Sequence, residues 1–140
     1  MAHAVLEDLI SKNKMLKDKV FIDSCATHSF HIGSMPDYRS IKVAEENNIE
    51  IQHLRARHIS PNDYEKFDLL LAMDHSHIDI LENMFPGKYA KIKLFLKFSD
   101  DINENVDDPY FGGMEGFYNM FDIIEKASKN LILKLENDKN

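Results

Sequence analysis

Tryptophan is absent, and the 140 residues contain one cysteine, Cys25. A lone thiol excludes an internal disulfide and fits a reducing compartment. Glycine and proline are sparse, at five and four, so neither a fibrous repeat nor a low-complexity linker is present. No apolar run approaches the roughly 20 residues that cross a bilayer, and no basic segment leads an apolar stretch of the export type. Basic residues are outnumbered 17 to 24, for a formal net charge of −7. That balance argues against nucleic acid, whose phosphates attract basic faces. The expectation is a cytoplasmic chain without a membrane or nucleic-acid partner. An acidic surface still permits a local anion pocket, provided the pocket has fixed donors of its own.

What is present is globular: 44% hydrophobic and 29% charged residues, enough for one domain spanning 1–140 with a single core. Three short apolar runs read as buried strands: VFID (Val20 to Asp23), DLLLAM (Asp68 to Met73) and KIKLFL (Lys91 to Leu96). Helical patterns separate them, which predicts a three-layer α/β fold with a parallel sheet. The spacing of Ala2, Ala4, Val5, Leu6 and Leu9 predicts an opening helix with nothing ahead of it to serve as a cap. A second helix is expected over about Asp37 to Asn48. Ser60, Pro61 and Asp63 have the chemistry of a helix start, and Asp74 that of an N-cap for HSHIDILENMF, ending near Pro86–Gly87. A last helix from about Glu115 to Leu135 places Phe117, Phe121, Ile124, Ala127, Leu131 and Leu135 on one stripe, and the final NDKN is expected to fray. Met84, Phe85 and Tyr89 are expected to cover the core.

The order is therefore helix, strand, helix, helix, strand, helix, strand, loop, helix. A chain of this class ordinarily begins with a strand, and three strands are few for a sheet covered on both faces. A first strand is expected to be missing from the given chain.

Ligands of such sheets sit beyond the carboxyl ends of the strands. Three segments leave those ends: SCATHSFHIG, MDHSH and KFSDDINENVDDPYFGG. The third combines Asp107 and Asp108, a stiffening Pro109, the aromatics Tyr110 and Phe111, and Gly112–Gly113. A carboxyl beside an aromatic wall suits a general acid, because the apolar wall raises its pKa. On the residues alone, a solvated acidic loop with two aromatics tucked into the core is the competing reading.

VDDPYFGG resembles the D-P-Y-Y-G signature of the low-molecular-weight protein tyrosine phosphatases. The segment FIDSCATHSFHIGSMPDYRSIKVAEENNIEI resembles that family's strand, D-S-A-G-T loop, H-x-G-x-x-P-D turn and following helix. RARHISPNDYEKFDLLLAMD is similar to its H-x-A-R block, and GFYNMFDIIEKASKNLI to its closing helix. The resemblance covers essentially the whole chain, in order.

The resemblance implies a phosphotyrosine phosphatase I-like fold, hydrolysis of phosphotyrosine proteins or small aryl phosphates, and no metal or other cofactor. A Cys thiolate attacks phosphorus, a helix end and an Arg hold the phosphoryl oxygens, and an Asp protonates the leaving phenolate before helping water open the phosphocysteine. By match to D-P-Y, Asp108 is the acid and Asp107 a neighbour that raises its pKa modestly. Phe30, Tyr110 and Phe111 match aromatic walls of the substrate cleft, and Ser24 a residue that supports the phosphate loop from behind. Phe111 stands where a second Tyr is usual, and Leu54 where the H-x-A-R histidine is usual, with His53 one position earlier. In that family a strand and C-x5-R-S-P precede M-A-E-A, which MAHA resembles. The missing strand is therefore central, and the chain as given is expected to lack the nucleophile and to be inactive. The alternative is a non-catalytic binding or assembly module, a homodimer through exposed strand edges. Arsenate reduction would need more cysteines; phosphoarginine stays open as a substrate.

Cys25 follows a predicted strand, but no Arg lies within ten residues and no glycine turn cradles an anion, so a small structural thiol is expected. Cys25, His28 and His31, and the pair His75 and His77, have metal-ligating side chains. No fourth ligand is evident for the first set, and residues two apart on a helix point to different faces. No metal site is expected.

Overall fold

A computed structural model describes residues 1–98 and 104–139 of the chain. Its elements are α1 (Ala2–Ser11), α2 (Tyr38–Glu46), the single turn α3 (Asp63–Lys66), β1 (Leu70–Ala72), α4 (His75–Met84), β2 (Ile92–Leu94), a 3₁₀ turn (Phe95–Phe98) and α5 (Met114–Lys139). β1 and β2 pair in parallel with Leu70 opposite Ile92 and Ala72 opposite Leu94.

Alternation along β1 makes three layers. Leu70 and Ala72 join Ile59, Tyr64, Leu81, Phe85, Ile92 and Leu94 in the cluster under α4. Leu69, Leu71 and Met73 point the other way, against the larger cluster of α1, α2 and α5. That cluster is organised by α5. Phe117, Phe121, Ile124, Ala127 and Leu131 are buried there against Val5, Leu6, Ile10, Val43 and Phe95, with Leu135 partly buried beside them. The predicted stripe is thus the core face of the helix. α5 continues to Lys139, so the expected fraying of its last residues gives way to helix as far as the structure is described.

Three expectations are corrected. Val20 to Asp23 is not a strand: among the described residues, no main-chain hydrogen bond reaches residues 20–24, and a strand exists only through its ladder. The nearest pairing is the isolated parallel bridge between Ala26 and His58. The third predicted run pairs only over Ile92–Leu94, after which Phe95–Phe98 coils into the 3₁₀ turn. Tyr89, expected on the core, is exposed, whereas Phe85 is buried.

Helix starts follow the capping chemistry closely. Met1 offers α1 no side-chain cap. Asp37 caps α2 by accepting from the Arg39 N–H at 2.9 Å, and Asp74 caps α4 by accepting from the His77 N–H at 3.0 Å. Ser60, expected as an N-cap, is not one: its hydroxyl accepts from Asn62 N–H at 3.2 Å, and the N-cap position of α3 falls on Asn62, without a side-chain cap bond.

The hydrogen bonds from Arg39 hold the Asp37 carboxyl below its ordinary value. Burial pushes Asp63 and Asp74 up. For Asp63, Arg57 and the Ser60 N–H outweigh it; for Asp74, the Ser76 hydroxyl and the His77 N–H do so. All three carboxyls therefore titrate lower in the folded chain than in the unfolded one. Their contribution to stability is fully present above the ordinary value of 3.8 and is lost as pH falls through the folded values. Thermal melts should show a steady midpoint down to about pH 5 and a steep drop below about pH 4. Asp74→Asn, which keeps an acceptor at the cap, should make that drop shallower.

Candidate active site

The acid loop leaves the carboxyl end of the sheet and is fastened at both ends. Val106 is buried, and its N–H donates to the Met73 carbonyl, just past β1, at 2.7 Å. One residue earlier, the Asn105 side chain accepts from the His75 N–H at 2.9 Å, and Glu104 lies 2.7 Å from His75 Nε2. Downstream, Gly112 N–H donates to the Pro109 carbonyl and Gly116 N–H to the Gly113 carbonyl, leading the chain into α5. A Cβ on Gly116 would stand 3.1 Å from Pro109 Cβ, so the bare glycine lets the proline seat on the first turn of α5.

Asp108 is exposed, and its Oδ1 accepts from the Tyr110 N–H at 3.1 Å, closing a local turn. Tyr110 and Phe111 form an edge-to-face pair 5.0 Å apart. They are not tucked into the core: Tyr110 is 54% and Phe111 97% exposed. Phe30 is 81% exposed and pairs instead with His28, ring centroids 5.5 Å apart. No ring contact among the described residues joins Phe30 to Tyr110 or Phe111.

A second feature is a groove of ≈ 730 Å³ between residues 20–24 and the open edge of β1. Residues 69–73 line one side; Phe21, Ile22, Ser24 and Cys25 line another, with Phe30 and His31 at the rim and Met1 and His3 of α1 close by. Ser24 therefore faces the groove, where its hydroxyl lies 2.7 Å from His3 Nδ1. Asp108, Tyr110 and Phe111 do not line it. The wall carrying Phe30 is stitched to the following segment by bonds from Ala26 N–H to Arg57 O and from Gly33 N–H to Ala56 O. Gly33 has φ +80°, a turn that a side chain would strain.

Arg57, one of two arginines lining the groove, is enclosed by carboxylates. Its Nε lies 3.2 Å from Asp23, and its two terminal nitrogens reach both oxygens of buried Asp63 at 3.0 and 3.1 Å. Partial desolvation pushes the neighbouring Cys25 thiol up; Arg57 opposes this, while Asp63 and Asp23 reinforce it. A thiol shifted that way is a poor nucleophile at neutral pH. Among the described residues no three His, Cys, Asp or Glu side chains gather as a ligand set. His75 turns to Glu104 and His77 to Asp74.

Two site-shaping side chains escaped sequence reasoning. Arg57 lies inside a recognised block, yet its partners are 34 residues before it and six after it. Arg39, two residues past the P-D turn, donates to the carbonyls of Gly112 at 2.9 Å and Tyr110 at 3.0 Å.

The sequence and the fold have counterparts among known proteins. The family model described as low molecular weight phosphotyrosine protein phosphatase matches residues 1–140. A low molecular weight phosphotyrosine protein phosphatase of Schizosaccharomyces pombe is 36% identical over 134 residues, covering 94% of this chain and 85% of that protein. A protein tyrosine phosphatase from Entamoeba histolytica superposes with a TM-score of 0.90 at 34% identity, covering 99% of this chain and 89% of that one. A Drosophila arginine phosphatase superposes with a TM-score of 0.87 at 27% identity, covering 96% and 87%. The chain belongs to the low molecular weight phosphotyrosine protein phosphatase family.

Removing Arg57 leaves the Asp63 carboxylate buried without its main partner. Arg57→Met should cost about 1–3 kcal/mol in urea unfolding, and adding Asp63→Asn should recover part of that loss. Additive losses would show that the two side chains are not coupled.

Proposed function

We propose that these residues carry the general acid and the substrate walls of a protein tyrosine phosphatase, and that the nucleophile loop seats in the groove beside β1. The observation that carries this is the acid loop: an exposed Asp108, followed by Pro109 and two exposed aromatics, fastened beyond the carboxyl end of a parallel sheet. That is where such folds do their chemistry.

The roles follow. A thiolate of a Cys-x5-Arg loop attacks the phosphorus of a phosphotyrosine protein or a small aryl phosphate, and the P–O bond to the phenol breaks. Asp108 delivers its proton to the departing oxygen, then takes one from the water that cleaves the phosphocysteine. Phe30, Tyr110 and Phe111 offer apolar faces for the substrate ring, and Ser24 supports the phosphate loop. No metal or other cofactor enters. The reducing cytoplasm would keep the thiol in its active form.

The 140 residues contain no Cys-x5-Arg; six residues past Cys25 stands His31. A family strand running into that loop would lie in the groove between residues 21–25 and 69–73, which line it. The second reading, a non-catalytic module that assembles with a second copy, draws on the same open edge of β1 and on residues 20–24, which have no main-chain to main-chain hydrogen bonds among the described residues. The Drosophila relative makes phosphoarginine the substrate to assay beside phosphotyrosine.

The chain of 140 residues should not turn over p-nitrophenyl phosphate above background. Preceded in frame by a strand and Cys-x5-Arg-Ser-Pro, it should do so, and Asp108→Asn should then lower kcat by about 10²–10⁴. Family-like turnover by the 140 residues alone would refute the reading.

A further inference from the structure

We propose that Arg39, braced by Asp37, is the positioning residue of the acid loop: its guanidinium fixes the main chain that carries Asp108. The proposal rests on the reading of Asp108 as the general acid.

Between Asp108 and Gly113 the main chain has few attachments among the described residues. The Tyr110 N–H to Asp108, Gly112 N–H to Pro109 and Gly116 N–H to Gly113 bonds are all local. Among the described residues, the hydrogen bonds that tie this stretch to a distant part of the fold come from Arg39, which reaches the carbonyls of Tyr110 and Gly112 across 71 and 73 residues of sequence. Two glycines and two exposed aromatics supply little else to define one conformation.

The clamp itself is well fixed. Arg39 Nε and one terminal nitrogen form a bidentate pair with Asp37 at 3.0 and 2.9 Å. Asp37 is immobilised in turn as the N-cap of α2. The guanidinium also lies over the Phe117 ring, 4.4 Å from its centroid, and Phe117 is a buried residue of α5. One planar fork therefore ties the start of α2, the first turns of α5 and the acid loop together. A lysine has no such fork, so Arg39→Lys should recover only part of the effect.

The test is amide hydrogen exchange on the 140-residue chain, comparing wild type with Arg39→Met and Arg39→Lys. Exchange of residues 106–113 should rise about tenfold or more in Arg39→Met and less in Arg39→Lys, with the amides of α4 and the centre of α5 unchanged. An unchanged loop overturns the proposal, as does a rise spread evenly over α1, α4 and α5, which would mark Arg39 as a general support of the fold. If Arg39→Met does not fold, Asp37→Ser keeps a helix cap but releases the guanidinium. It should give the same loop-restricted rise, and wild-type exchange there overturns the clamp. The acid reading fails separately: Asp108→Asn would leave turnover unchanged in the loop-completed enzyme, whatever the exchange data say of Arg39.

Discussion

A strand buried on both faces must satisfy main-chain groups along both edges, and β1 has a strand partner along one. β2 satisfies the first edge. The second opens on the groove, facing a segment, residues 20–24, that also lacks main-chain bonds among the described residues. The N–H and C=O groups of an open strand edge need water or another chain segment as partner, so this edge sets what the rest of the chain must do. α1 and the wall loop line the groove, while the acid loop is fastened to the carboxyl end of β1. The proposed further strand would pair with this edge.

The cores were readable because periodicity is a local property. Phe117 through Leu131 recur at helical spacing and form the buried face of α5, and Leu70 and Ala72 alternate with Leu69, Leu71 and Met73 on opposite faces of the sheet. The cap Asp74 was readable for the same reason: an N-cap acts on a group two or three residues away. Val20 to Asp23 misled because its apolar pattern is that of a strand, whereas a strand's existence depends on a ladder partner that pattern cannot report.

The candidate site was half readable. The acid-loop residues stand together in sequence, so Asp108, Tyr110 and Phe111 could be found by motif. The structure leaves these aromatics exposed rather than tucked into the core. What sequence could not show is how the loop is fixed. The Arg39 contacts span more than 70 residues, and those of Arg57 join the wall loop to the turn at Asp63. Neither spacing has a local signature. The same contacts occupy the Arg57 guanidinium of the groove. Arg55 and the first residues of α1 line the groove beside it.

The central claim is that these residues supply an acid and walls but no cradle for a phosphoryl group. Titration with orthovanadate, followed by amide chemical shifts, tests it most directly. The account predicts no saturable binding and unmoved amides around Ser24, Cys25 and Arg57. Saturable one-to-one binding centred on those residues would contradict it and place an oxyanion site within the chain itself.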